Sequence, residues 1–532
     1  MRVSRPLASL APALVLLLLA FVAGSPSGPG GHDDGPARPW LASAFAEEPE
    51  GDEKKGDGTE EGDDLGDKHV PFSEQVNKAI EQGVNWLLAK PDRFSDRKNE
   101  FVHYGRINSP TLYGGGTGPG YGHPAGATAL AVYTLLKCGV SPKHEVVKKG
   151  LAWLREKHRI TEKYDYFNGR GSTWDHTEAG SSYELSAMIL ALTAKYDAFK
   201  KTSGSKAAKR KGKLKIRDRD DREWLTDMVN ALIERRGMPV DGAPRDERIG
   251  WRYNVPTVTR TGGSGGWTRT GNKTPPHGNQ DLSSTQLAAL ALFSAQRFGI
   301  KVPVEVWSDI LEFTLKQQDE DGPEVERHVP GFVSERYGGK PKDKARGFAY
   351  IKGSPHGSEG VATGSMTACG IANVLICREM LAKDKKMRKK MLASGELKKL
   401  DTSIFDGLAW LDKNWSSFRN PKTRYGYHVY YLYCVERTMD IIGKRLIGKR
   451  MWYPAGAKEL LKLQKPKRVN VPDVKGRKNE KDGVFWKTDS THDPKDVLDT
   501  CFALLYLKRA TRGLTPPVAV TGGHEGGARD GR

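Results

Sequence analysis

The 532-residue chain predicts an all-α fold, an (α/α)6 toroid of six outer/inner helix pairs, and two observations predict it. The first is helical periodicity in twelve segments; the second is that two kinds of segment take turns along the chain. One kind has an apolar stripe opposite a charged face: Phe72–Lys90, Lys143–Lys157, Arg222–Arg236, Pro303–Gln318, Asp401–Trp415 and Pro454–Gln464. The other is apolar around most of its circumference: Pro124–Cys138, Ser181–Ala198, Leu282–Phe298, Gly364–Leu381, Tyr427–Ile442 and Pro494–Arg509. A striped helix sits at a surface, whereas a helix apolar all round is covered on every side. Strict alternation therefore implies an inner ring sheathed by an outer ring. Six pairs suffice to close a circle, and a closed circle has no apolar end in need of a capping repeat; an open superhelix is the competing geometry.

The flanks are of another character. Arg2 and Arg5 precede a stretch from Leu7 to Ala23 that is apolar apart from Ser9 and is broken by Gly24-Ser25-Pro26. Residues 1–46 therefore read as an export signal region, cleaved after Gly24 or after the A-x-A pattern ending at Ala46, with an uncleaved anchor as the competing reading. No other uninterrupted apolar run approaches the roughly 20 residues of a membrane span. Residues 47–70 are rich in Glu, Asp and Gly and predict a disordered acidic linker. The helical repeats then occupy 71–511, and 512–532 form a loose tail. The expected location is the periplasm or cell envelope.

Cys138, Cys369, Cys377, Cys434 and Cys501 form no C-x-x-C pair, and each lies in or at the end of an apolar helical run. Their odd number speaks against a disulfide framework and for buried free thiols. The net charge of +20 is concentrated in Lys200–Lys215, Lys383–Lys399 and Lys462–Lys481, basic insertions without interleaved aromatics. They predict solvated loops, able to rest on anionic envelope surfaces, and not a nucleic-acid interface. Gly-rich stretches (Gly114–Gly126, Gly262–Gly266, Gly353–Gly364) lead into inner helices, but no strand precedes the first and no G-K-[ST] follows it, so a phosphate loop is not indicated.

Several motifs resemble the terpenoid cyclase and protein prenyltransferase superfamily with squalene-cyclase-type repeats. Gly265-Gly266-Trp267, followed by Asp281 and Gln286 in an apolar run, resembles that family's approach to an inner helix. Phe313, Gln318 and Gly322 resemble its Gln/Trp repeat, with Pro323 and Glu324 where the Trp belongs. Leu460 to Gln464 and then Asp482-Gly483 to Trp486 look like a second copy, split by a basic insertion. Trp86, Trp153 and Trp410 stand at similar places in outer helices without the full motif. Tyr430-Tyr431, Glu436-Arg437, Trp452-Tyr453 and the run from Asp499 to Arg509 resemble exported bacterial members of planctomycete type. The resemblance implies that the Gln ties to a neighbouring helix end and that the Trp stacks on it, fastening adjacent repeats.

The chemistry found in that superfamily is harder to place. Proton-initiated cyclisation needs a D-x-D-D acid held protonated, but Asp218-Arg219-Asp220-Asp221 is flanked by Lys215, Arg217 and Arg222, which favour ionised carboxylates. A solvated loop with a helix-capping Asp is the better reading. Asp499 and Cys501 resemble the D-x-C half of a prenyltransferase zinc site, with His428 as the one substitute for its missing downstream His; the competing reading has Asp499 capping and Cys501 packing. A glycosidase would need two facing carboxylates, and no paired motif singles out Glu178, Glu184, Asp281 or Asp499. The chain also lacks the C-G-E-Q sequence that a complement-type thioester requires. What remains is a central cavity whose candidate lining is Trp174, Asp175, His176, Glu178, Tyr183, Asp281, Gln286, Tyr427, His428, Tyr430 and Asp499, suited to a small apolar or glycan ligand or an envelope protein. Filling of the ring by these aromatics competes equally. No cofactor is expected. The leading expectation is a non-catalytic binding or interaction module; the alternative is a cyclase- or prenyltransferase-type enzyme acting on an isoprenoid lipid.

Overall fold

A computed structural model of the chain describes residues 70–90, 124–157, 164–165, 170–171, 182–202, 216–234, 236, 249–252, 258–260, 267–269, 280–328, 341–424, 426–473, 477–488 and 495–509. The signal region, most of the acidic linker, the tail and the candidates Trp174, Asp175, His176 and Glu178 lie outside the described residues.

The chain is mostly helical. The striped segments become α1 (Phe72–Ala89), α3 (Glu145–Lys157), α5 (Arg219–Glu234), α7 (Val304–Lys316), α10 (Glu396–Lys413) and α12 (Trp452–Leu463). The apolar segments become α2 (Pro124–Lys137), α4 (Ser182–Thr202), α6 (Leu282–Arg297), α8 (Gly364–Lys383), α11 (His428–Ile442) and α13 (Lys495–Lys508). Their starts follow local chemistry. Asp281 caps α6 by accepting the Ser284 N–H at 2.6 Å, and Thr363 caps α8 through Met366. Pro71 and Pro303, which have no N–H to leave unsatisfied, stand at the starts of α1 and α7. Gly443, at φ +74°, ends α11 in the left-handed conformation.

Burial separates the two kinds as expected. Every residue from Leu282 to Ala295 of α6 is buried, whereas α1 buries one stripe that includes Val76, Ile80 and Leu87. The six apolar helices pack on one another in chain order, α2 on α4, α4 on α6, α6 on α8, α8 on α11 and α11 on α13, and α13 packs back on α2. The striped helices lie against neighbours in that succession: α1 on α13 and α2, α3 on α2 and α4, α5 on α4 and α6, α7 on α6 and α8, α10 on α8, α12 on α11 and α13. By length and hydropathy α8 would suit a membrane span, but it is 89% buried within the protein, with α6, α7, α10 and α11 packed on it.

Two of the basic insertions are ordered, which corrects the expectation of solvated loops. Lys383–Lys399 contains an extra helix, α9 (Lys385–Ala393), capped by Asp384 and anchored by the buried Met391. Lys462–Lys481 belongs to an antiparallel hairpin, β9 (Lys465–Pro472) with β10 (Lys478–Phe485), seated on α1. Val469 and Val471 are buried on one face of β9, while Arg468 and Asn470 on the other are exposed. Four short hairpins, also unanticipated, interrupt the helices: β1 (Tyr164–Asp165) with β2 (Arg170–Gly171), β3 (Val258–Arg260) with β4 (Trp267–Arg269), β5 (Glu324–Glu326) with β6 (Lys342–Lys344), and β7 (Leu446–Ile447) with β8 (Arg450–Met451).

One fastening recurs in three repeats. The backbone N–H groups of Trp251, Phe348 and Trp486 donate to Thr285, Thr367 and Thr500 on the next inner helix, at 3.0, 3.1 and 3.0 Å. The indole N–H groups of Trp251 and Trp486 reach back to the outer-helix carbonyls of Leu232 and Leu460, at 2.7 and 2.8 Å. Phe348 supplies the missing aromatic of the central copy; hairpin β5–β6 displaces it along the chain from Pro323 and Glu324. Gln318 ties to the next outer helix inside α10 and not at its end, donating to the Ser403 carbonyl at 3.0 Å and accepting the Ser403 hydroxyl at 2.7 Å. Trp267, by contrast, lies in β4, and Trp251 holds the fastening place.

Helix α1 is tied directly to α13 and to β10. Lys90 pairs with Asp496 on α13 at 2.6 Å, Asn85 donates to the Asp482 carbonyl at 3.0 Å, and Trp86 stacks on Phe485 at 5.3 Å.

Candidate functional site

Four of the expected residues come together. Tyr183 on α4, Asp281 and Gln286 around the first turns of α6, and Tyr430 on α11 belong to two buried polar clusters that adjoin at Ser283 and Ser284 inside an otherwise apolar interior. In the first the Asp281 carboxylate takes the Ser284 N–H at 2.6 Å and the Ser284 hydroxyl at 2.7 Å. The Tyr183 hydroxyl lies 2.5 Å from Ser284 Oγ and 3.4 Å from Asp281 Oδ1, and Arg252 approaches to 3.7 Å. Burial raises the Asp281 carboxyl above the usual carboxylate range, while Arg252 and the Ser284 donors pull it back. These donors counter burial only in part, and through Ser284 the carboxylate serves as the cap of α6.

In the second, Ser283 Oγ lies 3.3 Å from the Tyr430 hydroxyl, which is 3.5 Å from Cys369 Sγ. Cys369 on α8 donates to Gln286 Oε1 at 3.5 Å and touches Cys434 Sγ at 3.6 Å. The guanidinium of Arg437, wholly buried, donates to Cys369 Sγ at 3.3 Å. Burial opposes ionisation of both thiols, but Cys434 and the Arg437 charge bring Cys369 below its ordinary value and leave Cys434 well above. The amide Nε2 of Gln286 is buried without a hydrogen-bond partner among the described residues. Aromatics close the space around this network: Tyr433 stacks on Phe502 at 5.7 Å, and Tyr430 tilts against the same ring at 6.0 Å.

The remaining described candidates stand apart. His428 Nε2 donates to the Ser417 carbonyl at 2.7 Å, and burial lowers its pKa, so the ring is neutral with its donor nitrogen committed. Asp499 accepts from Thr488, from N–H at 2.7 Å and hydroxyl at 2.9 Å. Cys501 is buried, and burial pushes its thiol up, away from the thiolate a metal would need. Among the described residues no three His, Cys, Asp or Glu side chains gather as a metal set, so Asp499, Cys501 and His428 do not form the zinc triad the sequence offered. Tyr427, at φ +46°, precedes α11 and is half-buried. All five cysteines are free, four buried and Cys138 half-buried at the end of its helix.

Of Asp218 to Asp221, the first three residues are exposed at the start of α5, as expected, and Asp221 alone departs from a solvated loop. Asp218 accepts the Asp221 N–H at 2.8 Å and so caps α5, as expected, but Asp221 itself is only 2% exposed. It accepts from Lys195 at 2.5 Å, from the Tyr196 hydroxyl at 2.6 Å, and from Arg155. Burial raises its pKa, but the Lys195 and Tyr196 hydrogen bonds and the charges of Lys195 and Arg155 outweigh that and hold it below the usual carboxylate range.

The residues missed by sequence reasoning are Ser283, Ser284, Arg252, Cys369, Cys434 and Arg437. A signal for three members of the network was present: Tyr430, Cys434 and Arg437 fall at i, i+4 and i+7 on one face of a helix otherwise apolar all round.

No family model matches the chain, and no curated protein matches it. Function therefore rests on the site itself.

Proposed function

We propose that the chain is an exported binding or interaction module of the cell envelope, built as a closed toroid of six helix pairs and working without catalysis. The observation that carries this reading is the buried polar cluster of Ser283, Gln286, Cys369, Tyr430 and Arg437, with a Gln286 donor left over for a guest. Buried amides are rarely left unpaired without a reason, and a ligand or ordered water is the usual one. The packing of α13 back on α2 supports the closed ring, and the Gln318 and Trp486 fastenings support kinship with the terpenoid cyclase and protein prenyltransferase superfamily. The aromatic surroundings suit a small apolar or glycan ligand better than a charged one.

The alternative, a cyclase- or prenyltransferase-type enzyme acting on an isoprenoid lipid, draws support from the raised pKa of Asp281. It is opposed by the donors that already occupy that carboxylate.

Three measurements test the proposal. Purified protein is expected to contain no stoichiometric zinc and to release no diphosphate from prenyl diphosphates; zinc lost on Cys501→Ser, or diphosphate release, overturns the non-catalytic reading. Small-angle scattering of residues 71–511 should give a radius of gyration of about 22 Å for a compact closed domain, and a clearly larger value means an open superhelix. Gln286→Leu removes an unused donor and should leave the denaturation midpoint unchanged or slightly raised; a loss above about 2 kcal/mol assigns the amide a structural role instead.

A further inference from the structure

A second site lies outside the interior network. A cavity of about 420 Å³ opens between outer helix α10 and the hairpins β5–β6 and β7–β8, and it shares no residue with the network. Its size falls in the range of about 300–1,000 Å³ typical of small-molecule sites. The walls are apolar: Phe405, Leu408 and Ala409 come from α10, and Leu446, Ile447 and Met451 from β7–β8. Met451 is 39% exposed at the edge, an unusual place for a large apolar side chain that has a core to join.

The charges around this well are unevenly matched. Arg327 lies flat on Phe405, 3.3 Å from the ring centroid, and is fixed by Asp343 through Nε at 2.8 Å and a second guanidinium nitrogen. Asp412 accepts from Arg450 at 2.6 Å, and Gly448, at φ +58°, lets the hairpin come so close that a Cβ there would strike the Asp412 carboxylate. With Arg327 set against Asp343 and Arg450 against Asp412, the lining keeps Lys444 and Arg445 beside Glu326, an excess of one cation at the lip. Both cations are exposed, and the Gly-Lys-Arg sequence that holds them occurs twice, at 443–445 and 448–450.

The geometry points to a binding site for an amphiphilic anion, with an acyl or aryl group in the Phe405–Leu408–Ile447 well and a carboxylate or sulfonate at the Lys444–Arg445 lip. An apolar well alone would accept neutral hydrocarbon; the cationic lip adds preference for a negative head and makes binding sensitive to salt. This site goes beyond the central reading and stands or falls separately from it.

The full chain titrated with the aryl sulfonate 8-anilinonaphthalene-1-sulfonate should show saturable fluorescence enhancement at one site per chain, displaced by monomeric laurate. Leu408→Trp fills the well and should abolish that signal. The double variant Lys444→Glu with Arg445→Glu, at exposed positions that leave the fold intact, should weaken binding at least tenfold, with most of the difference lost at high salt. Displacement by laurate without co-sedimentation on phosphatidylglycerol vesicles identifies a free acid as the ligand source; co-sedimentation that disappears in Leu408→Trp identifies a lipid chain drawn from a bilayer. Absence of saturable binding, or binding unchanged in both variants, overturns the assignment.

Discussion

Replacing Trp486 by alanine is expected to destabilise the folded chain by about 4 kcal/mol, the usual range for removing a fully buried Trp. The indole is wholly inaccessible, so its loss leaves a cavity between α12 and α13, and it orphans the Leu460 carbonyl that its N–H satisfies at 2.8 Å. Trp251→Ala should behave alike at α5 and α6, because it makes the same bond to Leu232 at 2.7 Å. The two Phe variants separate the contributions. Phe348 shows that a ring without an N–H serves one repeat, so Trp486→Phe should cost only about 1 kcal/mol, the net worth of a hydrogen bond. Urea denaturation midpoints at unchanged slope measure all four. A loss below about 1 kcal/mol for both alanine variants would mean that the shared fastening does not hold the repeats together.

The second large effect concerns Asp221. Its carboxylate gathers Arg155 from α3 and Lys195 and Tyr196 from α4 onto α5, at a site that is 2% exposed. Asp221→Ala leaves two cations facing each other without their anion, and breaking such a pair costs about 3–5 kcal/mol. The same group gives a pH dependence whose sign is fixed. Its folded pKa lies below the unfolded value of about 3.9, so its stabilisation is complete above that value and is lost as pH falls through the folded pKa. Asp221→Asn should therefore lower the midpoint at pH 7 and flatten its fall below about pH 4. An unchanged acid limb in the variant would show that the carboxylate is not the group that titrates.

The helical plan was legible because it rests on periodicity. Alternation of striped and apolar segments is a property of whole helices and survives local irregularity, so all twelve segments became helices within a few residues of their expected ends. The hairpins were not legible for the same reason reversed. In β9 only Val469 and Val471 mark the buried face, and among Lys465, Lys467 and Arg468 two valines do not stand out as a strand. The fastening aromatics were half legible: Trp486 follows its Gly directly, whereas Phe348 is separated from Gly322 by an inserted hairpin that only three dimensions remove. The interior network was legible through Tyr183, Asp281, Gln286 and Tyr430, polar residues where helices begin. Cys369 and Cys434 were not, because a thiol in an apolar helix reads as a small hydrophobe until a guanidinium is found beside it. Asp221 was misplaced because flanking cations suggested solvent, while its actual partners, Arg155 and Lys195, come from other helices.

The Lys90–Asp496 tie spans 406 positions of sequence. A ribosome adding about 5–20 residues per second needs between roughly 20 and 80 s to cover that interval. Throughout it the first helix has no late partner to settle against, and its oily side stays wet. Completion of this contact is thus postponed until α13 has been made, which leaves the growing polypeptide pliable and open to chaperones over most of its synthesis.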